Sequence, residues 1–401
     1  MNKPNILLGI TGSVATVLVK KMCQQLSEIG NVEIVSTESA MHFIDKEDIT
    51  GFDLLNCRLW RDIDEWQWSR PAPQPPPSQA AAISDVWKKD DPVVHINLRD
   101  WADVFVIAPL SANTLAKMAN GLCDNLLTSV FRAWDWAKPV IVAPAMNTRM
   151  WESPFTEDHL FKLVKLFGDQ FQVIPPQKKM LACGDEGKGA MADISLIVEK
   201  LKWLMKWQFP IEHCPGIPIN YHPGAFAFPR RQSNHTGVDL YTPRFYVSEV
   251  HHHIRSRENC TIAHAVESGR VVATEHFTGE QDESPWWNNT DCLLVEGRSG
   301  VVCYGEIKPY TFSVGDIIVR GQPLGEVIPV LKEGKERPDI PGHSRAMLHI
   351  ELYKHGTKSA SKSWKLGQPK HDYIADPTPF LCESINAPKE RLVWDNPEKK
   401  L

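Results

Sequence analysis

The sequence lacks several patterns that would settle its class at once. Nine cysteines are present, an odd number at long spacings, and none forms a C-x-x-C pair. That excludes a disulfide framework and points to free thiols. Positive charge is not in excess: 44 Lys and Arg stand against 49 Asp and Glu, for a formal net charge of −5. No basic stripe advertises nucleic acid. Long apolar runs are missing. The run in MNKPNILLGITGSVA is too short and too broken by glycine to span a membrane. It also lacks the cationic segment and cleavage pattern of a secretory signal. A soluble, cytoplasmic protein without membrane or nucleic-acid partners is expected. There are no internal repeats. What remains is ordinary globular chemistry, with 42% hydrophobic and 23% charged residues over 401 positions, enough for about two domains.

The first half alternates buried strands and helices. NILLGI (5–10), VEIVST (32–37), DVFVIAPL (103–110) and PVIVAPAM (139–146) read as strands. VATVLVKKMCQQLSEIG, SANTLAKMANG and ISLIVEKLKWLMKW read as helices. In the last, Ile194, Ile197, Val198, Leu201, Leu204 and Met205 share one face. Continuous apolar strands alternating with helices predict a doubly wound parallel sheet covered on both faces, with ligands at the carboxyl ends of its strands. RPAPQPPPSQAAA (70–82) cannot join that sheet and reads as an exposed insertion. Past Trp207 the pattern changes. GRVVATEHF, DCLLVEGRSGVVCYGEI, GDIIVRGQPLGEVIPVL and AMLHIELY are short β runs between turns, so an all-β second domain is expected. The boundaries read as 1–208, 209–385 and a loose charged tail, 386–401.

The strand ends carry the polar chemistry. GITGSVA offers Gly12, Ser13, Val14 and Ala15 as a turn whose N–H groups could cradle a phosphate. It is not G-x-G-x-x-G, so a dinucleotide is not the first choice. Ser39 in STESA, and Ser111, Ala112, Asn113 and Thr114 in APLSANTLAK, would converge with it on a phosphorylated cofactor. Read singly, each is equally well a helix cap, as is Asn147 in PAMNTRMW. His95, flanked by Val94 and Ile96, reads singly as a core histidine. Cys183, in the glycine-rich LACGDEGKGAMA, reads as a thiol on a mobile surface loop.

The combination says more. HINLRDWADVFVIAPLSANTLAKMANGLCDNLLTSVFRAWD, PAMNTRMW and LACGDEGKGAMA occur in this order. Together they resemble the homo-oligomeric flavin-containing cysteine decarboxylases, in particular the phosphopantothenoylcysteine decarboxylases, over about residues 4–205. The resemblance implies a flavodoxin-like fold, bound FMN, a homotrimer, and decarboxylation of 4′-phosphopantothenoyl-L-cysteine to 4′-phosphopantetheine in coenzyme A biosynthesis. It implies that His95 is the catalytic base and Cys183 a proton donor on a substrate-covering flap. Asn147 would hold the substrate carboxylate, with Met150 and Ala190 beside it. The residues 12–15, Ser39 and 111–114 would contact FMN. One departure is Asp100 in HINLRDW, where the family commonly has a second basic residue. Relatives called halotolerance proteins share the domain and bind protein phosphatases, which is the regulatory alternative. They usually carry an acidic tail, whereas this chain ends in the mixed PKERLVWDNPEKKL.

In the second half, HTGVDL places His235 and Asp239 four apart, which on one strand would share a face. AMLHIELY puts Met347, His349 and Glu351 on one side. HTGVDL, IKPYTFSVGDIIVRGQPLGEV, MLHIEL and DPTPFL together resemble the lysostaphin-type zinc endopeptidases. The likeness is strongest to their animal relative, leukocyte cell-derived chemotaxin, over about residues 215–381. The resemblance implies Zn²⁺ on His235, Asp239 and His349. The peptidases carry H-x-H in the last motif, and Met347 takes the first position here. YGEIKP offers no histidine where the family has another. A zinc-binding module without peptidase activity, retained for a protein partner or for assembly, is therefore expected, an active metallopeptidase being the alternative. HHH at 251–253 alternates faces and is a poor metal cluster.

Overall fold

The computed structural model describes residues 3–65, 93–180, 186–230, 233–242, 261–281, 285–335, 337–360 and 364–394. The Pro-rich run 70–82, HHH 251–253 and Cys183 lie outside them. The chain forms two compact units, Met1–Met205 and Lys206–Leu401.

The first unit runs β1 (Asn5–Ile10), α1 (Val19–Ile29), β2 (Asn31–Ser36), α2 (Lys46–Leu54), β3 (Arg58–Trp60), α3 (Asp62–Glu65), α4 (Val94–Trp101), β4 (Val104–Leu110), α5 (Ala112–Asn120), α6 (Leu126–Arg132), β5 (Val140–Pro144), α7 (Thr148–Trp151), α8 (Pro154–Phe167) and β6 (Phe171–Val173). A hairpin of β7 (Gln177–Met180) and β8 (Glu186–Ala190) follows, then α9 (Ile194–Met205). The sheet order is β3-β2-β1-β4-β5-β6, parallel throughout. Without the three-residue edge strand β3, this is the flavodoxin-like 2-1-3-4-5 order. Alternate strand residues feed two cores. Ile6, Leu8 and Ile10 join Met22 and Leu26 of α1 and Ile197 and Leu201 of α9. Leu7, Phe105 and Ile107 join Leu98 of α4, Leu115 of α5 and Val130 of α6. The helix expected directly after β1 begins instead as a 3₁₀ turn, Val14–Leu18, before α1.

The second unit is an antiparallel system. Its main path runs Val238–Tyr241, Met347–Tyr353, Gly300–Pro309, Thr290–Gly297, Gly269–Thr278, Ile317–Ile318. Val238, Leu240, Leu293, Val302, Leu348 and Ile350 fill its core. Two expectations need correction. The unit is not purely β, because the proline-led segment Thr378–Glu383 is a helix. The charged tail is not wholly loose either. Arg391–Leu392 pairs parallel with Ile217–Pro218, and Phe209, Ile217 and Ile219 take part in backbone hydrogen bonds to residues 385–392. Backbone pairing holds a segment that composition alone reads as solvated.

Candidate functional site

In the first unit the strand order reverses between β1 and β4, which is where open α/β sheets bind ligands. A cavity of about 920 Å³ opens at the carboxyl ends of the strands. It is lined by residues 12–15, Ser39, 111–113, Asn147, Met150 and Ala190. Of the expected cofactor, substrate and catalytic residues of this unit that are described, all but two line it. Thr114 is buried behind the wall, where its Oγ1 accepts from Ser111 Oγ at 3.2 Å. His95 does not line the cavity.

The cap reading and the site reading of these residues coincide. Ser13 Oγ accepts from Ala15 N (3.4 Å) and donates to Ala145 O (3.3 Å). Ser111 Oγ caps α5 by accepting from Thr114 N (3.3 Å). Asn147 Oδ1 caps α7 by accepting from Arg149 N (2.9 Å). Capping turns helix starts, with their unpaired N–H groups, toward one place. Thr11, which sequence reading passed over, ties two of the turns. Its Oγ1 donates to Pro109 O (2.8 Å) and accepts from Ser111 N (2.7 Å). A buried hydroxyl after an apolar strand was the available signal.

Gly187 and Gly189 have a different purpose from the one expected. Gly187 and Gly189 lie in β8, paired with β7, and not in a loop. A Cβ on Gly189 would stand 2.3 Å from Met146 O, and Gly189 O accepts from Met146 N at 3.0 Å. Close approach to the Asn147 turn, and not freedom of φ, requires glycine there. Cys183 belongs to the connection between these two strands.

His95 sits in the first turn of α4, whose N-cap Val93 has no capping side chain. Glu65 supplies the missing acceptor. One carboxylate oxygen accepts from His95 N (3.1 Å), and the other makes a short hydrogen bond with His95 Nδ1. Thirty residues separate the two, so no local spacing betrays the pair. Asp100 is exposed and paired with its neighbour Arg99 at 2.8 Å.

In the second unit, His235, Asp239 and His349 are all buried and bring their donor atoms together. His235 Nε2 lies 3.1 Å from Asp239 Oδ1 and 3.2 Å from His349 Nδ1, and the last two are 2.7 Å apart. His235 and Asp239 do not share one strand as expected. His235 lies between the strands Ser233–Asn234 and Val238–Tyr241, the second of which carries Asp239, and the chain bends at Gly237 between them. Metal bonds of about 2.0–2.2 Å in a tetrahedron set ligand atoms about 3.3–3.6 Å apart; the two separations from His235 approach this, while the 2.7 Å pair is at hydrogen-bond distance and would open by under about 1 Å around an ion. The supporting contacts suit a cation site as well. His235 Nδ1 donates to Ala225 O (2.8 Å), which turns Nε2 inward. Arg230 Nη2 donates to Asp239 Oδ2 (2.8 Å), leaving Oδ1 for the centre. Glu351 Oε1 lies 3.2 Å from His349 Nε2. Burial and the Arg230 charge push His235 down to about 4. His349 rises to about 10, because contacts with Asp239 and Glu351 outweigh its burial. Glu306, from the YGEIKP segment, was missed. It is buried with an unpartnered Oε2, at a positive φ of 63°. Burial and then the Asp239 charge push it up to about 8.

A family model described as Flavoprotein matches residues 1–206. A probable phosphopantothenoylcysteine decarboxylase of Arabidopsis thaliana is 49% identical over 201 residues, covering 50% of this chain and 88% of its own. The phosphopantothenoylcysteine decarboxylase of Mus musculus is 42% identical over 203 residues, covering 50% and 86%. A solved structure described as the FMN binding protein AtHal3 is 48% identical, covering 50% of this chain and 96% of its own, with a TM-score of 0.42. Among the described residues no helix is long and apolar enough to cross a membrane.

Proposed function

The chain belongs to the flavoprotein family, and from that premise we propose that its first unit is an FMN-dependent decarboxylase of 4′-phosphopantothenoyl-L-cysteine, acting in the cytoplasm in coenzyme A biosynthesis. The observation that carries this reading is the cavity itself. Three strand-end turns with hydroxyls and helix-start N–H groups meet Asn147, Met150 and Ala190 around about 920 Å³, a volume suited to a cofactor with part of its substrate. Gly12 supports it: a Cβ there would stand 2.5 Å from Ser39 Oγ. Gly12→Ala should therefore weaken flavin binding at least ~10-fold, about the cost of one poorly relieved clash. Titration by flavin absorbance or fluorescence would read this directly.

Bound flavin would supply the two-electron acceptor, and then donor, that this redox-neutral loss of CO₂ requires. The chain's own groups would do the rest. His95 would take the substrate thiol proton as base. Asn147 would donate from Nδ2 to the carboxylate that leaves, with Met150 and Ala190 packing the substrate chain against it. Cys183, in the connection between β7 and β8, would return a proton once the substrate is covered and water excluded. His95 does not line the cavity of its own chain, and Val14, Val17 and Leu18 expose 51%, 57% and 41% of their surface. Both fit a homotrimer in which a neighbouring copy presents His95. Purified protein should be yellow and release CO₂ from the substrate. Yellow protein without turnover would overturn the reading and favour a flavin-binding regulator of a protein phosphatase.

For the second unit we infer a lysostaphin-like module holding Zn²⁺ on His235, Asp239 and His349. Their geometry and supporting contacts favour it. By the resemblance, Met347 takes the place of a peptidase histidine and YGEIKP offers no other, and all three ligands are buried. That supports a binding or assembly role over peptide hydrolysis.

A further inference from the structure

We propose that Glu65 is a positioning residue for His95, holding the imidazole in the tautomer that is protonated at Nδ1 and basic at Nε2. The inference rests on the base role of His95 put forward above.

The geometry is specific. A carboxylate has only acceptor capacity, so the atom facing it must donate. Glu65 takes the Nδ1–H of His95 with one oxygen and the His95 backbone N–H with the other. Two contacts from one carboxylate to one residue fix the ring's position and its rotation together. Among the described residues Nε2 has no hydrogen-bond partner, and the side chain is 26% exposed. With Nδ1 held by Glu65, the lone pair is on Nε2, the nitrogen left for a substrate or a neighbouring copy. Both partners are built on anchored elements. Asp62 of α3 accepts from Leu126 N at the start of α6 (2.8 Å), and Asp64 accepts from Arg61 N (2.8 Å). Val94 and Leu98 bury α4 in the core beneath the sheet. Glu65 itself keeps a side-chain exposure of only 10%, so water competes weakly for its oxygens.

A helix cap alone would explain the backbone contact but not the imidazole contact, and the two separate experimentally. Glu65→Gln keeps a carbonyl oxygen for the His95 N–H. Its NH₂, turned to the ring, can only donate, which favours the opposite tautomer with Nε2 protonated. In protein labelled with ¹⁵N-histidine, the unmodified chain should show His95 protonated at Nδ1 and the Gln variant at Nε2. With flavin content and unfolding temperature unchanged, decarboxylation should fall about 10²-fold, the usual scale of one base. Glu65→Asp should recover part of the loss, since it keeps the charge on a shorter arm. An Nε2-protonated His95 in the unmodified chain would overturn the proposal, even if the Gln variant failed to fold. Equal turnover of the Gln variant and the unmodified enzyme would do so as well. The tautomer is read without turnover, so failure of the proposed activity and failure of this assignment are distinguishable.

Discussion

Asn147→Asp should leave the protein folded and yellow while slowing decarboxylation about 10³-fold, or about 4 kcal/mol of lost transition-state stabilisation. The cap explains why folding survives. Oδ1 of Asn147 accepts from Arg149 N, and aspartate caps a helix start as well as asparagine does. What changes is the donor. In the proposed role, an anion would replace the Nδ2 amide that holds the substrate carboxylate. A hydrogen bond to a charged group, worth about 1.5–3 kcal/mol, is lost, and like-charge repulsion adds to it. Steady-state CO₂ release on matched flavin content measures the effect. Turnover within threefold of the unmodified enzyme would remove Asn147 from the carboxylate site.

The second large effect concerns the metal. His235→Ala should abolish stoichiometric zinc and lower the unfolding temperature of the second unit by about 8–16 °C. The estimate follows from saturation near 1,000 times Kd, about 4 kcal/mol, spread over a unit of this size. Removing His235 also deletes its contacts with Ala225 and Asp239. Chelator treatment of the unmodified protein isolates the metal's share and should give most of the shift. Elemental analysis decides the ligand set: equal zinc in variant and parent would refute it. Calorimetry should show the transition of the first unit unmoved.

The two units differ in how much of them sequence reading reached. In the first, apolar strands and polar strand ends are local patterns, and they led to the sheet and to the wall of the cavity. Gly187 and Gly189 read as loop glycines but lie in a strand, because glycines that permit mobility and glycines that permit close packing look alike in a string. The difference is Met146 O, 2.3 Å from where a Gly189 Cβ would be. In the second unit, the family resemblance picked out His235 and Asp239, while the spacing alone suggested one shared strand. The bend at Gly237 between them is what the spacing did not show.

By itself the sequence determined the elements and the chemistry at their ends. Helical and strand periodicities act over a few residues, caps act over three or four, and the family motifs are contiguous. Tertiary structure alone decided which distant groups complete each other. Glu65 reaches His95 across thirty residues, and Thr11 joins the turns after β1 and β4 across about a hundred. Arg230 orients Asp239, while Glu306 stands buried in the second unit with an unpartnered oxygen. For the first three the physical reason is common: a polar atom taken out of water needs a partner wherever packing brings one, and packing follows the fold and not the spacing along the chain. The unpartnered oxygen of Glu306 is equally a product of packing, which no local spacing records.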